Sequence, residues 1–155
     1  MRIERSVVLP GPESVVFELL DDLGRYPEWM DLVHDVTELA PTPDGRRAWD
    51  VELRAQVGPL ARSKRLRMVR SVHEPTSTVV FERDEVDGRR HSPWVLQSTL
   101  VSSAPSQIEV TMTLSYGGNL WAGAVLERVL DDHVERGALA LASLLATRPP
   151  DSGTA

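Results

Sequence analysis

The sequence predicts an α+β domain in which a curved antiparallel sheet wraps around one long C-terminal helix, with an internal cavity between them. Three observations carry this reading. The longest unbroken helical pattern runs from Leu120 to Ala146, the strand-like alternation lies in one consecutive run from about Val36 to Tyr116, and a lone strand with two short helices precedes both. The apolar faces of so many long strands exceed what one helix can cover, so space for a ligand follows from geometry.

Taken in order, Ile3, Val7 and Leu9 share one strand face with Arg5 between them, and Pro10-Gly11-Pro12 stops that strand. Pro12 and Glu13 suit a first helical turn, Val15, Val16, Leu19 and Leu20 supply its apolar side, and Gly24 ends it. Tyr26-Pro27-Glu28-Trp29-Met30 opens a second short helix, with Trp29, Met30 and Val33 on one side. Its other side carries Glu28, Asp31 and Asp35, a spacing that predicts a solvated face in preference to a metal site.

Asp44-Gly45 marks a hairpin turn, after which Trp49, Val51, Leu53, Ala55 and Val57 alternate with Asp50, Glu52, Arg54 and Gln56. Gly58-Pro59 reverses the chain into a long strand closed by Pro75. Leu66, Met68, Arg70 and Val72 share one face of it, and Arg65, Arg67, Val69, Ser71 and His73 the other. Val79 and Phe81 lead the next strand, with Arg83 and Glu85 continuing their face, and Asp87-Gly88 turns again. Two strands follow, one on Trp94, Leu96, Ser98 and Leu100, the other on Ile108, Val110, Met112, Leu114 and Tyr116.

In the terminal helix Asn119 stands at the N-cap position after Gly117-Gly118, and Pro149-Pro150 end anything helical. Glu127, Arg128, Asp131, Asp132, Glu135 and Arg136 fall on one arc, and Leu126, Leu130, His133, Gly137, Leu141 and Leu144 on the opposite one. His133 and Gly137 are the two non-hydrophobic members of the stripe predicted to face the sheet. Residues 1–147 form one expected domain, and the tail 148–155 is expected to be disordered.

The balance of 17 basic against 23 acidic residues, net −6, argues against nucleic-acid binding and against adhesion to anionic membrane, leaving uncharged or cationic small molecules open. With no cysteine there is no disulfide, thiolate nucleophile or cysteine-based zinc site. MRIERSVVLP alternates polar and apolar residues, unlike a signal segment, and Ala138 to Ala142 is too short a small-apolar run to span a bilayer. A cytoplasmic monomer or homodimer without an integral membrane segment is expected. His34, His73, His91 and His133 show no close ligand spacing, so no metal is expected. The basic run Arg62, Lys64, Arg65, Arg67 reads as a solvated strand, since Arg65 and Arg67 project outwards without interleaved aromatics. No phosphate loop, nucleophile elbow or nucleotide fingerprint occurs, and no cofactor is expected.

The opening VVLPGPESVVFELLDDLGRYPEWMDLV and the segment VERGALALASLL of the terminal helix resemble the START-like (SRPBCC) helix-grip superfamily over nearly the full length. The likeness is greatest to its polyketide cyclase/dehydrase and coenzyme Q-binding branch. The resemblance implies a seven-stranded sheet gripping the terminal helix around a deep, mostly apolar cavity. It also implies binding of lipids, hormones, quinones or polyketide intermediates, with catalysis in only some members. Arg70 falls on the strand position where single-domain aromatase/cyclases carry a pocket arginine thought to hold the polyketide. Val33 stands where they carry a pocket tyrosine.

Arg70 interrupts an apolar inward face, so its guanidinium must find an anion or several acceptors, either in a ligand site or in a structural ion pair. His133 either moves a proton or is a core histidine bonded to a sheet hydroxyl. Tyr116 is the third catalytic candidate, and Ser98 could add a second hydroxyl. Gly137 either lets the helix approach the sheet or leaves room for ligand. Trp29, Trp49, Leu53, Met68, Phe81, Trp94, Met112 and Leu130 are the candidate walls. Three functions follow. The first is a cyclase/dehydrase-like protein for a small hydrophobic, oxygenated molecule, in which Arg70 stabilises an enolate or carbonyl oxygen and His133 or Tyr116 moves a proton. The second is a non-catalytic lipid or quinone carrier. The third is an interaction protein working through its surface.

Overall fold

The computed structural model describes residues 2–117 and 124–147. In chain order the elements are β1 (Arg2–Pro10), α1 (Glu13–Leu20), a 3-10 helix (Leu23–Glu28), β2 (Val33–Leu39), β3 (Ala48–Val57), β4 (Leu60–Glu74), β5 (Thr78–Arg83), β6 (Trp94–Ala104), β7 (Gln107–Tyr116) and α2 (Ala124–Thr147). The strands form one seven-stranded sheet in the order β1-β7-β6-β5-β4-β3-β2, every pair antiparallel. Strands β2 to β7 are therefore a meander, and β1 adds to its far edge against β7. This is the α+β order expected, with the long helix held in the concavity of the sheet. The proposed N-cap Asn119, the break at Gly118, the first turn from Leu120 and the tail 148–155 with its Pro149-Pro150 stop lie outside the described residues.

Alternation sets which side of each strand is buried. Along β7, Ile108, Val110, Met112, Leu114 and Tyr116 are buried and the residues between them are not. Along β3, Trp49, Val51, Leu53 and Ala55 face inwards, while Asp50 and Glu52 lie outside, where Arg65 of β4 reaches Asp50 at 2.7 Å and Glu52 at 3.5 Å. The β2–β3 connection turns at Gly45, whose φ of +88° is a region that favours glycine.

Two boundaries differ from those expected. Helix α1 stops at Leu20 instead of Gly24, and Pro12 sits just before it in an extended conformation. The second helix begins at Leu23 because the Asp22 carboxylate accepts the Gly24 N–H at 2.8 Å and caps a new turn. Tyr26, fully buried, then donates its phenol to Leu20 O at 2.9 Å, and Trp29 Nε1 donates to Leu19 O at 3.2 Å. The 3-10 helix is thus tied back onto α1. Val33 is not helical: it opens β2 opposite Leu53, beside the Arg54 N–H bond to Leu32 O at 2.9 Å.

Helix α2 buries Leu130, His133, Val134, Gly137, Ala138, Leu141 and Leu145, with Leu144 half-buried. It lies against β1, where Arg5 pairs with Asp131. Leu130 and Leu141 are completely excluded from solvent and join the core formed by both sides of the molecule. Leu130→Ala is expected to cost about 2–5 kcal/mol by removing buried methyl groups and leaving a hole. The check is a lower denaturant midpoint at an unchanged slope.

Candidate functional site: an apolar cavity under the terminal helix

The space between α2 and the sheet is walled by four groups of side chains. Strands β3 and β4 supply Val51, Leu53, Leu66 and Met68; β6 and β7 supply Trp94, Leu96 and Leu114. The 3-10 helix supplies Leu23, the chain after it Met30 and Leu32, the start of β2 Val33, and α2 supplies Val134. All are apolar or aromatic. The room open to the centre of a water molecule is about 50 Å³, within about 490 Å³ of non-atom space that reaches solvent. A drug-sized ligand fills roughly 300–1,000 Å³, so it must displace wall side chains. Met30 and Met68, unbranched thioethers, are suited to that.

Gly137 sets the width of this space from the helix side. A Cβ placed there would lie 2.8 Å from Met30 Cε, 2.9 Å from Sδ and 3.6 Å from Trp29 Cε3. The glycine therefore admits the Trp29–Met30 segment to direct contact with α2. That segment is also held by charge. His133 Nδ1 lies 2.7 Å from Asp31 Oδ1, so Nδ1 carries the proton there, and Arg136 Nη1 is 3.4 Å from Asp31 Oδ2. The sequence predicts a sheet hydroxyl or a substrate beside His133; its hydrogen-bond partner among the described residues is Asp31 instead, with Arg136 alongside on the same carboxylate.

The other sequence-derived candidates divide by place. Leu53, Met68 and Trp94 line the cavity. Tyr116 stacks behind Trp94 at 5.2 Å between ring centroids, and burial, followed by the Glu127 charge, raises its pKa. Trp29 lies on the Gly137 side, outside the lining. Trp49, Phe81, Ser98, Met112 and Leu130 are buried in the core around the cavity without lining it. There Trp49 packs edge-on against Phe81, and Phe81 against Tyr26. Burial pushes the Tyr26 pKa well up, partly offset by the nearby Ser98 hydroxyl. Trp49 Nε1 and Ser98 Oγ are buried with no hydrogen-bond partner among the described residues.

Arg70 lies outside the cavity lining. Its Nη1 donates to Asp21 O at 3.1 Å, at the C-terminus of α1, with Asp21 Oδ2 at 4.0 Å. A cation at that end satisfies a free carbonyl and complements the helix dipole. Burial, then the Arg47 charge, lowers the Arg70 pKa. A β-bulge between Arg70 and Val72 accompanies this placement.

Sequence reasoning passed over two cations near the walls. Lys64, in register with Leu53, has Nζ 5.9 Å from the Trp94 ring centroid. Arg83, in register with Met68, is bound by Glu85, Ser92 and His91. The signal was the alternation of β4 itself: with Leu66 and Met68 facing inwards, Lys64 does too. Among the described residues no cluster of three or more ligating side chains suits a metal ion, and no helix is long and apolar enough to cross a membrane.

Comparison with known proteins places this architecture. A START superfamily protein from Mycobacterium smegmatis superposes with a TM-score of 0.74 at 15% identity, over 94% of this chain and 97% of that one. The Zhui aromatase/cyclase from Streptomyces sp. R1128 superposes with a TM-score of 0.72 at 14% identity, over 99% and 98%. A protein of Thermus thermophilus does so at 0.73 and 15%, over 96% and 100%. At these identities the likeness establishes the fold. No curated protein matches by sequence. The sequence profile described as polyketide cyclase / dehydrase and lipid transport matches residues 9–142, from the end of β1 into the last turns of α2, and the chain therefore belongs to that family of START-like proteins.

Proposed function

We propose that the protein binds a small hydrophobic, oxygenated molecule, of the chemical class of a polyketide intermediate, in the cavity under α2 and without a cofactor. The observation that carries this is the cavity itself, apolar on every wall and open to solvent. Membership of a cyclase, dehydrase and lipid transport family supports it, as does a structural neighbour that is itself named an aromatase/cyclase. In a cyclising version the walls would fold the chain for ring closure, and Tyr116 is the catalytic candidate in contact with a lining side chain. Its phenol, whose pKa burial raises, would serve as a neutral donor to a carbonyl oxygen that gains charge. Arg70 and His133 act in this reading as positioning residues, one holding α1 and the other the Trp29–Val33 segment. A second reading, a lipid or quinone carrier, is favoured by the wholly apolar lining, which offers a reacting carbonyl no polar group of its own.

Native mass spectrometry of freshly purified protein, followed by solvent extraction, tests the binding reading directly. An oxygenated apolar molecule held one per chain is expected, and its identity separates the two versions. Protein that carries nothing and also fails to take up an apolar fluorescent probe overturns both.

Gly137→Ala should leave stability within about 1 kcal/mol of the parent, because alanine's helix propensity offsets the shift it forces on Met30. It should weaken probe binding several-fold by pushing Met30 into the cavity. Unchanged affinity would mean that the ligand does not use the space beside Met30. Arg70→Ala should cost about 1–3 kcal/mol of stability by stripping Asp21 O of its donor, with probe affinity retained by the folded fraction. Loss of affinity or turnover at an unchanged melting temperature would instead put the guanidinium on the ligand.

A further inference from the structure

Lys64 is the one lysine of the chain; every other member of its 17 basic residues is an arginine. It stands on β4 with its side chain on the same face as Leu66 and Met68, both cavity walls, opposite Leu53, a third. Its Nζ approaches the ring of Trp94, a fourth wall, to 5.9 Å from the centroid. We propose that Lys64 is the head-group site of the cavity: its ammonium receives the carboxylate of an amphipathic acid whose apolar body occupies the space under α2. This rests on the reading of that space as a ligand cavity.

The neighbouring charges fit the assignment. Arg83, whose side chain is only 9% exposed, is already committed: Nε donates to Glu85 Oε1 at 3.0 Å and Nη1 to Ser92 O at 3.2 Å, and Nη2 meets His91 Nδ1 at 3.2 Å. The same Glu85 oxygen also accepts the Arg67 N–H at 3.0 Å. Arg83 therefore adds positive potential near Lys64 while its own donors serve the protein, and Glu85, whose charge also acts on Lys64, has its Oε1 shared between Arg83 and the Arg67 N–H. Burial, then the Arg83 charge, lowers the Lys64 pKa, and an arriving carboxylate would reverse that effect by favouring the ammonium. A lysine suits the role better than an arginine, since a compact charge on a flexible stem can follow head groups at different depths. The net charge of −6 repels anions from the surface at large, so recognition of an acid must come from a local cation.

The test compares a medium-chain fatty acid with its methyl ester, by calorimetry at neutral pH, on the parent and on Lys64→Gln. The acid should bind the parent about tenfold more tightly than the ester, as a charge-assisted hydrogen bond would give. Lys64→Gln should bring the acid down to the ester's level and leave the ester unchanged. Because the chain has one lysine, amine acylation read at that peptide reports Lys64 alone; the acid should shield it and the ester should not. Equal binding of acid and ester by the parent, or equal weakening of both by Lys64→Gln, overturns the head-group assignment and leaves the cavity reading standing. Binding of neither overturns the cavity reading and this assignment with it.

Discussion

The approach of Met30 and Trp29 to Gly137 governs the space on which the rest of the site depends. A sheet of seven strands offers a wider apolar face than one helix can cover, and the uncovered part must be closed by something else. Here it is closed by the chain running from the 3-10 helix into β2, which lays Leu23, Met30, Leu32 and Val33 across the gap. That chain can rest directly on α2 only because position 137 has no side chain. The cost of a glycine inside a helix, about 1 kcal/mol relative to alanine, is then offset by the packing it permits.

Polar contacts surround this apolar space and hold its parts in register. Asp31 joins the closing segment to His133 and Arg136 of α2, Arg5 joins β1 to Asp131, and Arg70 ties β4 to the end of α1. The pair around Asp31 keeps access to water, with 59% of the carboxylate side chain exposed, so its energetic worth is about 0–1 kcal/mol. Its role is one of placement: it orients a segment whose adhesion comes from Trp29 and Met30. Arg70 differs in being mostly buried, and its partner is a helix-terminal carbonyl that would otherwise lack a donor.

Much of this was legible in the residues. Period-two alternation placed the inward faces of β3 and β7 correctly, since a strand buried on one side has to alternate, whereas on β4 it held for Leu66 and Met68 but not for Val69, which is buried, or for Val72, which is exposed beyond the bulge after Arg70. His133 and Gly137 stood out as the two non-hydrophobic members of the α2 stripe, and both prove to meet the closing segment, His133 through Asp31 and Gly137 through Met30 and Trp29. Their partners were not legible, because Asp31 and His133 are 102 positions apart and nothing local links them. Arg70 was placed on the inward face by parity, but parity does not say where a long side chain ends. The Asp21 carbonyl draws its guanidinium to α1. Lys64 was readable and was overlooked, because the basic run around it was judged by its outward members, Arg65 and Arg67.

The narrowness of the cavity follows from its chemistry. An apolar cavity costs roughly 24 cal/mol per Å³ whenever nothing fills it, so a rigid one of about 400 Å³ would cost on the order of 10 kcal/mol, comparable to the entire stability of a domain. A fold that must persist between ligands cannot keep such a space open with stiff walls. It can line it with side chains that fall inwards and move aside again, and Met30 and Met68 are of that kind. The observed volume therefore sets no upper limit on the ligand. What resists enlargement on the helix side is the packing of Trp29 and Met30 against α2 that position 137 permits, while the water-exposed Asp31 contact adds little to it.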